Sequence, residues 1–247
     1  MLDNGNNEES IISHIEALRT TLIRCFSALA IVLPFTFYMS PRVLNFLIKI
    51  LLGNNEVKLN YFAPMEVFIL QIKLALLIDI IVCFPYIMKK IWDFVLPALY
   101  EKEKQFIKSS VIISSILFVF GVLFCIFTIL PLVINFGMSF AGNNIQAVFG
   151  ISNVINMALW LGFVFGLMFQ VPLIVYLLIK WDIVEYETIS SIRPYVLVCL
   201  LVLSALLTPP DIISQILLFS PTYILFELGL CFSKLTCRSK KSESVDE

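Results

Sequence analysis

A single all-α membrane domain of six transmembrane helices, with both termini on the cytoplasmic side, is the architecture this sequence predicts. Three observations predict it. Of the 247 residues 60% are hydrophobic and 14% charged, which leaves too little polar surface for a soluble domain. Six apolar runs are spaced along the whole chain. The basic residues gather on one side of those runs, as the positive-inside rule requires.

The runs, in order, are Leu22 to Met39, Val67 to Met88, Val111 to Leu132, Ile155 to Ile179, Pro194 to Leu207 and Ile212 to Phe232. The second, third and fourth are long enough to cross a hydrocarbon core of about 30 Å at about 1.5 Å per residue, and the first, at about 27 Å, lies within the usual range for a span. The fourth has length to spare and is expected to tilt or to begin outside the membrane. The fifth reaches only about 21 Å, and the sixth is interrupted by Pro221 and Glu227. Between these two stands Thr208-Pro209-Pro210-Asp211, an outer turn whose prolines lack donors and whose acid is costly in lipid. Two short spans around a wet turn require the bilayer to thin locally or neighbours to shield the ends.

Orientation follows from charge. Arg19, Arg24, Lys89, Lys90, Lys102, Lys104, Lys108, Lys180, Arg193, Lys234, Arg238, Lys240 and Lys241 fall on one side, against Arg42, Lys49 and Lys58 on the other and Lys73 within the second run. The richer side is read as cytoplasmic, together with both termini. The segment before the first run lacks a small-residue cleavage site and does not read as a secretory signal. In the first outer loop, Val43, Leu44, Phe46, Leu47, Ile50 and Leu51 follow helical spacing and predict a short interfacial helix. In the second, Gly137, Gly142, Asn143, Asn144 and Gly150 predict turns joining short apolar pieces.

Several function classes are excluded or made poor. A net charge of -1 argues against nucleic acid. His14 is the single histidine, so neither a histidine metal site nor a rigid Ser-His-Asp arrangement is available. The six cysteines lie in spans or on the cytoplasmic side and predict no structural disulfide. No phosphate-cradling glycine motif is present, and no cofactor is expected. What remains is the polar residues at membrane depth: Lys73, Asp79, Gln170 and Glu227. Lys73 can snorkel outward. It stands six positions from Asp79, a net turn of about 240°, so the two do not share a helix face. Asp79 is therefore expected to find a partner on another helix, meet water or stay protonated. Taken alone, Lys73 and Asp79 suit an ion-coupled small-solute secondary transporter, and a purely structural assembly subunit is a further reading.

On the cytoplasmic side Trp92-Asp93-Phe94 leads into Pro97-Ala98-Leu99-Tyr100-Glu101-Lys102-Glu103. This stretch resembles the first cytoplasmic loop of the TatC family, the multispanning receptor of twin-arginine protein translocation. His14-Ile15-Glu16-Ala17-Leu18-Arg19 is similar to that family's N-terminal segment, Phe169-Gln170-Val171-Pro172 to its fourth span, and Arg193-Pro194-Tyr195 to the start of its fifth. Thr208-Pro209-Pro210-Asp211, Ser214-Gln215, Pro221 and Phe226-Glu227 complete the series, so the resemblance runs along nearly the whole chain.

The resemblance implies a concave bundle, no enzymatic activity, no cofactor, and export of folded proteins driven by the proton-motive force. It implies that twin-arginine signal peptides bind at Glu103, with Phe94, Pro97, Leu99, Tyr100, Arg19 and Glu16 around it. A carboxylate can meet a guanidinium fork bidentately, which suits this role. The sequence departs from the family at the N-terminus: Ala17 stands where the family has its glutamate, Glu16 is one position early, and Thr21 replaces an arginine. One step turns a helical side chain by about 100°. The resemblance also implies that Thr208 and Gln215 contact single-span partners of the TatA and TatB type, and that the receptor forms a homo-oligomer in the assembled complex within the bacterial inner membrane.

Overall fold

The computed structural model describes residues 4–52, 59–60, 62–95, 104–139, 149–181, 183–207 and 212–243. Almost all of them are helical. In chain order the helices are α1 (Asn4–Leu52), α2 (Glu66–Val95), α3 (Lys104–Phe124), α4 (Leu130–Ser139), α5 (Ile151–Met168), α6 (Val171–Lys180), α7 (Tyr186–Ser191), α8 (Arg193–Leu207) and α9 (Ile212–Glu243). Two-residue strands Leu59–Asn60 (β1) and Phe149–Gly150 (β2) pair in parallel, Leu59 opposite Phe149 and Asn60 opposite Gly150. Among the described residues, five helical stretches are long and apolar enough to cross a membrane, and a shorter apolar helix occupies Arg193–Leu206.

The chain divides into two compact units. One comprises residues 1–45 and 65–116, the other residues 46–64 and 117–247. In the first, α1 and α2 meet through an edge-to-face pair, Phe37 on Phe68, with ring centroids 6.1 Å apart. Leu70, Leu74, Leu77 and Phe84 are buried at helical spacing along α2.

The helix α1 corrects one expectation. The sequence predicts a span ending near Met39 and a separate interfacial helix after it, whereas one helix of 49 residues runs through Pro34 and Pro41. The local chemistry explains the passage at Pro41. This proline removes the N–H that would bond the Phe37 carbonyl, and Ser40 Oγ donates to that carbonyl instead, at 2.8 Å.

In the second unit a π-turn, Cys125–Ile129, joins α3 to α4, with the Leu130 N–H donating to the Cys125 carbonyl. The long fourth span is present as Ile151–Lys180, and it is built from two helices, α5 and α6, with an interruption at Phe169 and Gln170 just before Pro172. Phe120, Phe124, Phe165 and Phe169 pack α3 onto α5, with centroids 5.6 to 6.1 Å apart. Gly121 permits that approach, since a Cβ there would stand 2.7 Å from the Phe165 carbonyl oxygen. At the crossing of α6 and α9, a Cβ on Gly229 would stand 2.7 Å from Pro172 Cα. Close backbone approach of this kind is how helices associate where lipid offers no hydrophobic drive. Around it Val175, Ile179, Ile189, Phe226 and Leu230 form a buried apolar cluster from α6, α7 and α9.

Candidate functional site: polar groups at the helix ends and at membrane depth

The residues expected to read a signal peptide are distributed over α1, α2 and the loop after it. Glu16 and Arg19 are both exposed on α1, three positions apart and so neighbours on the helix surface. The Glu16 carbonyl accepts from Thr20 Oγ1 at 2.9 Å, an ordinary back-bond that leaves the carboxylate uninvolved. Phe94 is half-buried in the last turn of α2. One turn earlier Lys90 pairs with Asp93 at 3.7 Å and lies over the Tyr86 ring. Pro97, Leu99, Tyr100 and Glu103 lie outside the described residues, as do Thr208, Pro209, Pro210 and Asp211 of the outer turn.

Within α2, Lys73 is exposed and Asp79 is 1% exposed, as their separation around the helix requires. The side chain that Asp79 meets is on its own helix. Cys83, one turn on along the same helix and also buried, points its thiol at Asp79 Oδ1 across 3.7 Å. A thiol is a weak donor, so this carboxyl is sheltered more than it is bonded. Among the described residues no basic side chain pairs with it.

Gln170 sits at the break between α5 and α6 and is 4% exposed. Its backbone N–H donates to Leu167, one residue short of the regular partner, at 3.0 Å. The Gly166 carbonyl thereby loses its helical donor, and Gln170 Nε2 lies 3.5 Å from it in compensation. The Ile174 N–H then donates to the Gln170 carbonyl at 2.9 Å and the helix resumes. An amide does this without bringing a charge into the membrane.

Gln215 ties two helices. Its Nε2 donates to the Leu201 carbonyl of α8 at 3.1 Å, and Ser204 Oγ donates to the same oxygen at 2.8 Å. Thus part of the hydrogen-bonding capacity expected to face a partner helix is engaged within this chain.

A further polar cluster lies on α8 and α9. Arg193 Nη2 stands 3.4 Å from Glu227 Oε2, and Tyr223 Oη donates to Glu227 Oε1 at 3.0 Å. The two charged side chains are 39% and 35% exposed. Arg193 Nε is buried and has no hydrogen-bond partner among the described residues, which makes Glu227 the anchor of the guanidinium. The sequence showed Arg193 in a motif and Glu227 as an intramembrane acid. No spacing rule joins residues so far apart in the chain.

Comparison with known proteins decides the family. The family described as "Sec-independent protein translocase protein (TatC)" matches residues 13–221. The chain belongs to the TatC family. It is 34% identical to the Sec-independent protein translocase protein TatC of Haemophilus influenzae, over 94% of this chain and 92% of that protein. It is 32% identical to TatC of Escherichia coli K12, over 92% and 88%. A crystal structure of the twin-arginine translocase receptor TatC superposes with a TM-score of 0.80 at 31% identity, covering 90% of this chain and 98% of that one. A second, of the receptor in DDM, gives 0.82 at 30% identity, covering 89% and 99%. This TatC chain is a multi-pass membrane protein of a bacterial protein translocase, and its family is not one of enzymes. The solute-carrier alternative is left without support.

Proposed function

We propose that this protein is the receptor and organising subunit of a twin-arginine translocase, binding twin-arginine signal peptides and organising the export of folded precursors. The observation that carries the reading is the structural match to a twin-arginine translocase receptor over nearly the full length of both chains. In this reading the termini and the loop around Glu103 face the cytoplasm, a placement supported by thirteen basic residues on that side against three on the other. Glu103 is the main carboxylate for the signal's guanidinium groups. Phe94, Pro97, Leu99 and Tyr100 shape the loop, while Arg19 and Glu16 contribute from α1. Glu16 is the lesser contributor because of its displaced position.

Partner helices of the TatA and TatB type would meet α8, α9 and the turn between them, at Thr208 and Gln215, with Pro209, Pro210 and Asp211 holding the turn in water. Several copies of the receptor would sit in one assembled complex. Hydrogen bonds are a suitable anchor there, because single-span partners gain nothing hydrophobic by leaving lipid. Gln170 is the neutral group that keeps the broken fourth span bonded.

The test is precursor binding to membranes containing the parent or Glu103→Gln at fixed ionic strength. Losing one charge-assisted contact of about 1.5 to 3 kcal/mol weakens binding roughly ten- to hundredfold, less where the site is well hydrated. Glu16→Gln is expected to cost less and Glu101→Gln close to nothing. A Glu103→Gln protein that binds and exports as the parent does would move the recognition site elsewhere.

A further inference from the structure

The helix α8 has 15 residues and spans about 22 Å, short of a hydrocarbon core of about 30 Å. A short helix free in a bilayer can adjust by shifting in depth, and nothing apolar resists that shift. Here α8 is tied to α9 at its first residue and again near its middle. Arg193, its first residue, pairs with Glu227, and the Leu201 carbonyl accepts from Gln215. The 32-residue α9 is itself held by the Gly229 crossing on Pro172.

Of the two ties, the one at Glu227 has its own support. Tyr223, one turn earlier on α9, donates to one carboxylate oxygen while Arg193 approaches the other. The Tyr223 ring stacks on Phe219, with centroids 5.6 Å apart and planes 21° apart, and tilts against Phe226. The carboxylate therefore has a fixed direction, and a fixed carboxylate gives a flexible arginine one address.

We propose that Glu227 is a positioning residue of this receptor: through Arg193, and oriented by Tyr223, it fixes the depth of α8 in the bilayer. The consequence for partner docking rests on the receptor reading above. Because α8 cannot slide alone, it meets a partner helix at one height.

The experiment uses the full chain in membranes with its partner proteins, retaining Cys199, exposed on α8, as the only cysteine and attaching a spin label to it. Label depth is read from collision rates with oxygen and with a water-soluble nickel chelate, alongside precursor crosslinking and export. Glu227→Gln is expected to move the label by at least one residue's rise, about 1.5 Å, and to lower export several-fold while precursor crosslinking persists. The exchanged pair, Arg193→Glu with Glu227→Arg, is expected to restore depth and export, an outcome that loss of general stability would not give. Tyr223→Phe, which keeps both charges, is expected to give a smaller shift and carries the depth test if Glu227→Gln fails to accumulate. An unmoved label in the variants that accumulate, or a shift that the exchanged pair leaves uncorrected, overturns the proposal. If the parent itself fails to crosslink a precursor, the receptor reading fails, and the depth measurement still decides the role of Glu227.

Discussion

Two acids within apolar helices, Asp79 in one compact unit and Glu227 in the other, are accommodated in opposite ways. Asp79 is fully buried and faces a thiol on its own helix; Glu227 is partly exposed and joins Arg193 on α8 to Tyr223 on α9. The first solution is local and makes no link between helices. The second spends a charge on an interhelical connection. An acid inside a membrane segment is thus not by itself a sign of one role: burial without a cation points to a sheltered group, and pairing across helices points to a fixed geometry.

The contrast breaks hardest at Gly229, whose absent side chain lets α9 reach α6 and so holds the frame around Glu227. Gly229→Leu places carbon against the Pro172 backbone and is expected to destabilise by about 1 to 3 kcal/mol or more, since backbone on both sides cannot give way. Denaturant unfolding in detergent reads this, and an unchanged midpoint would mean that α6 and α9 are not held at this crossing.

A smaller effect is expected at Gln215. Gln215→Leu removes one interhelical bond to Leu201, worth on average about 0.6 and at most about 1.7 kcal/mol in membrane proteins. The same unfolding assay measures it. A larger loss of export than of stability would assign the residue a second task at the partner surface.

The smallest is at Asp79. Asp79→Asn keeps the shape and exchanges one weakly bonded acceptor for another, so stability is expected to change by no more than about 0.5 kcal/mol, the low end for a net hydrogen bond. Export by this variant sharpens the comparison: full activity confirms a sheltered group, and abolished export with intact folding shows that the acid itself is used.

The membrane class and the helical architecture are legible in the sequence because both rest on composition and on long apolar runs, which the bilayer selects without reference to neighbours. Where the structure departs, the cause is a group the runs do not display. Pro34, Pro41, Pro85 and Pro221 all lie inside helices, whereas Pro172 lies at a break, so proline alone does not locate an interruption. At Pro41 a serine hydroxyl takes over the orphaned carbonyl; at the break before Pro172 a glutamine side chain does. The Arg193–Glu227 contact is a product of helix packing, and so was invisible to spacing rules. Cys83 was readable in principle, since position i+4 from an acid is its nearest neighbour on a helix, but a thiol is not the partner that electrostatics nominates.

The wide turn at Cys125–Ile129 changes the phase of the helix that contains it. Up to and through it the buried positions run Phe118, Val122, Cys125, Ile129; after it they resume at Leu130 and Ile134, while Leu132, next in the earlier rhythm, faces outward at 42% exposure. One surplus residue has been absorbed, and everything downstream to Ser139 is rotated by roughly 100° relative to an unbroken helix. The inward face of α4 is therefore set by a count of residues several positions upstream. Deleting a single residue from the wide turn would close it into an ordinary α-turn and leave Ile134 facing the interior, whereas closing the turn with its residue count unchanged would rotate Ile134 away.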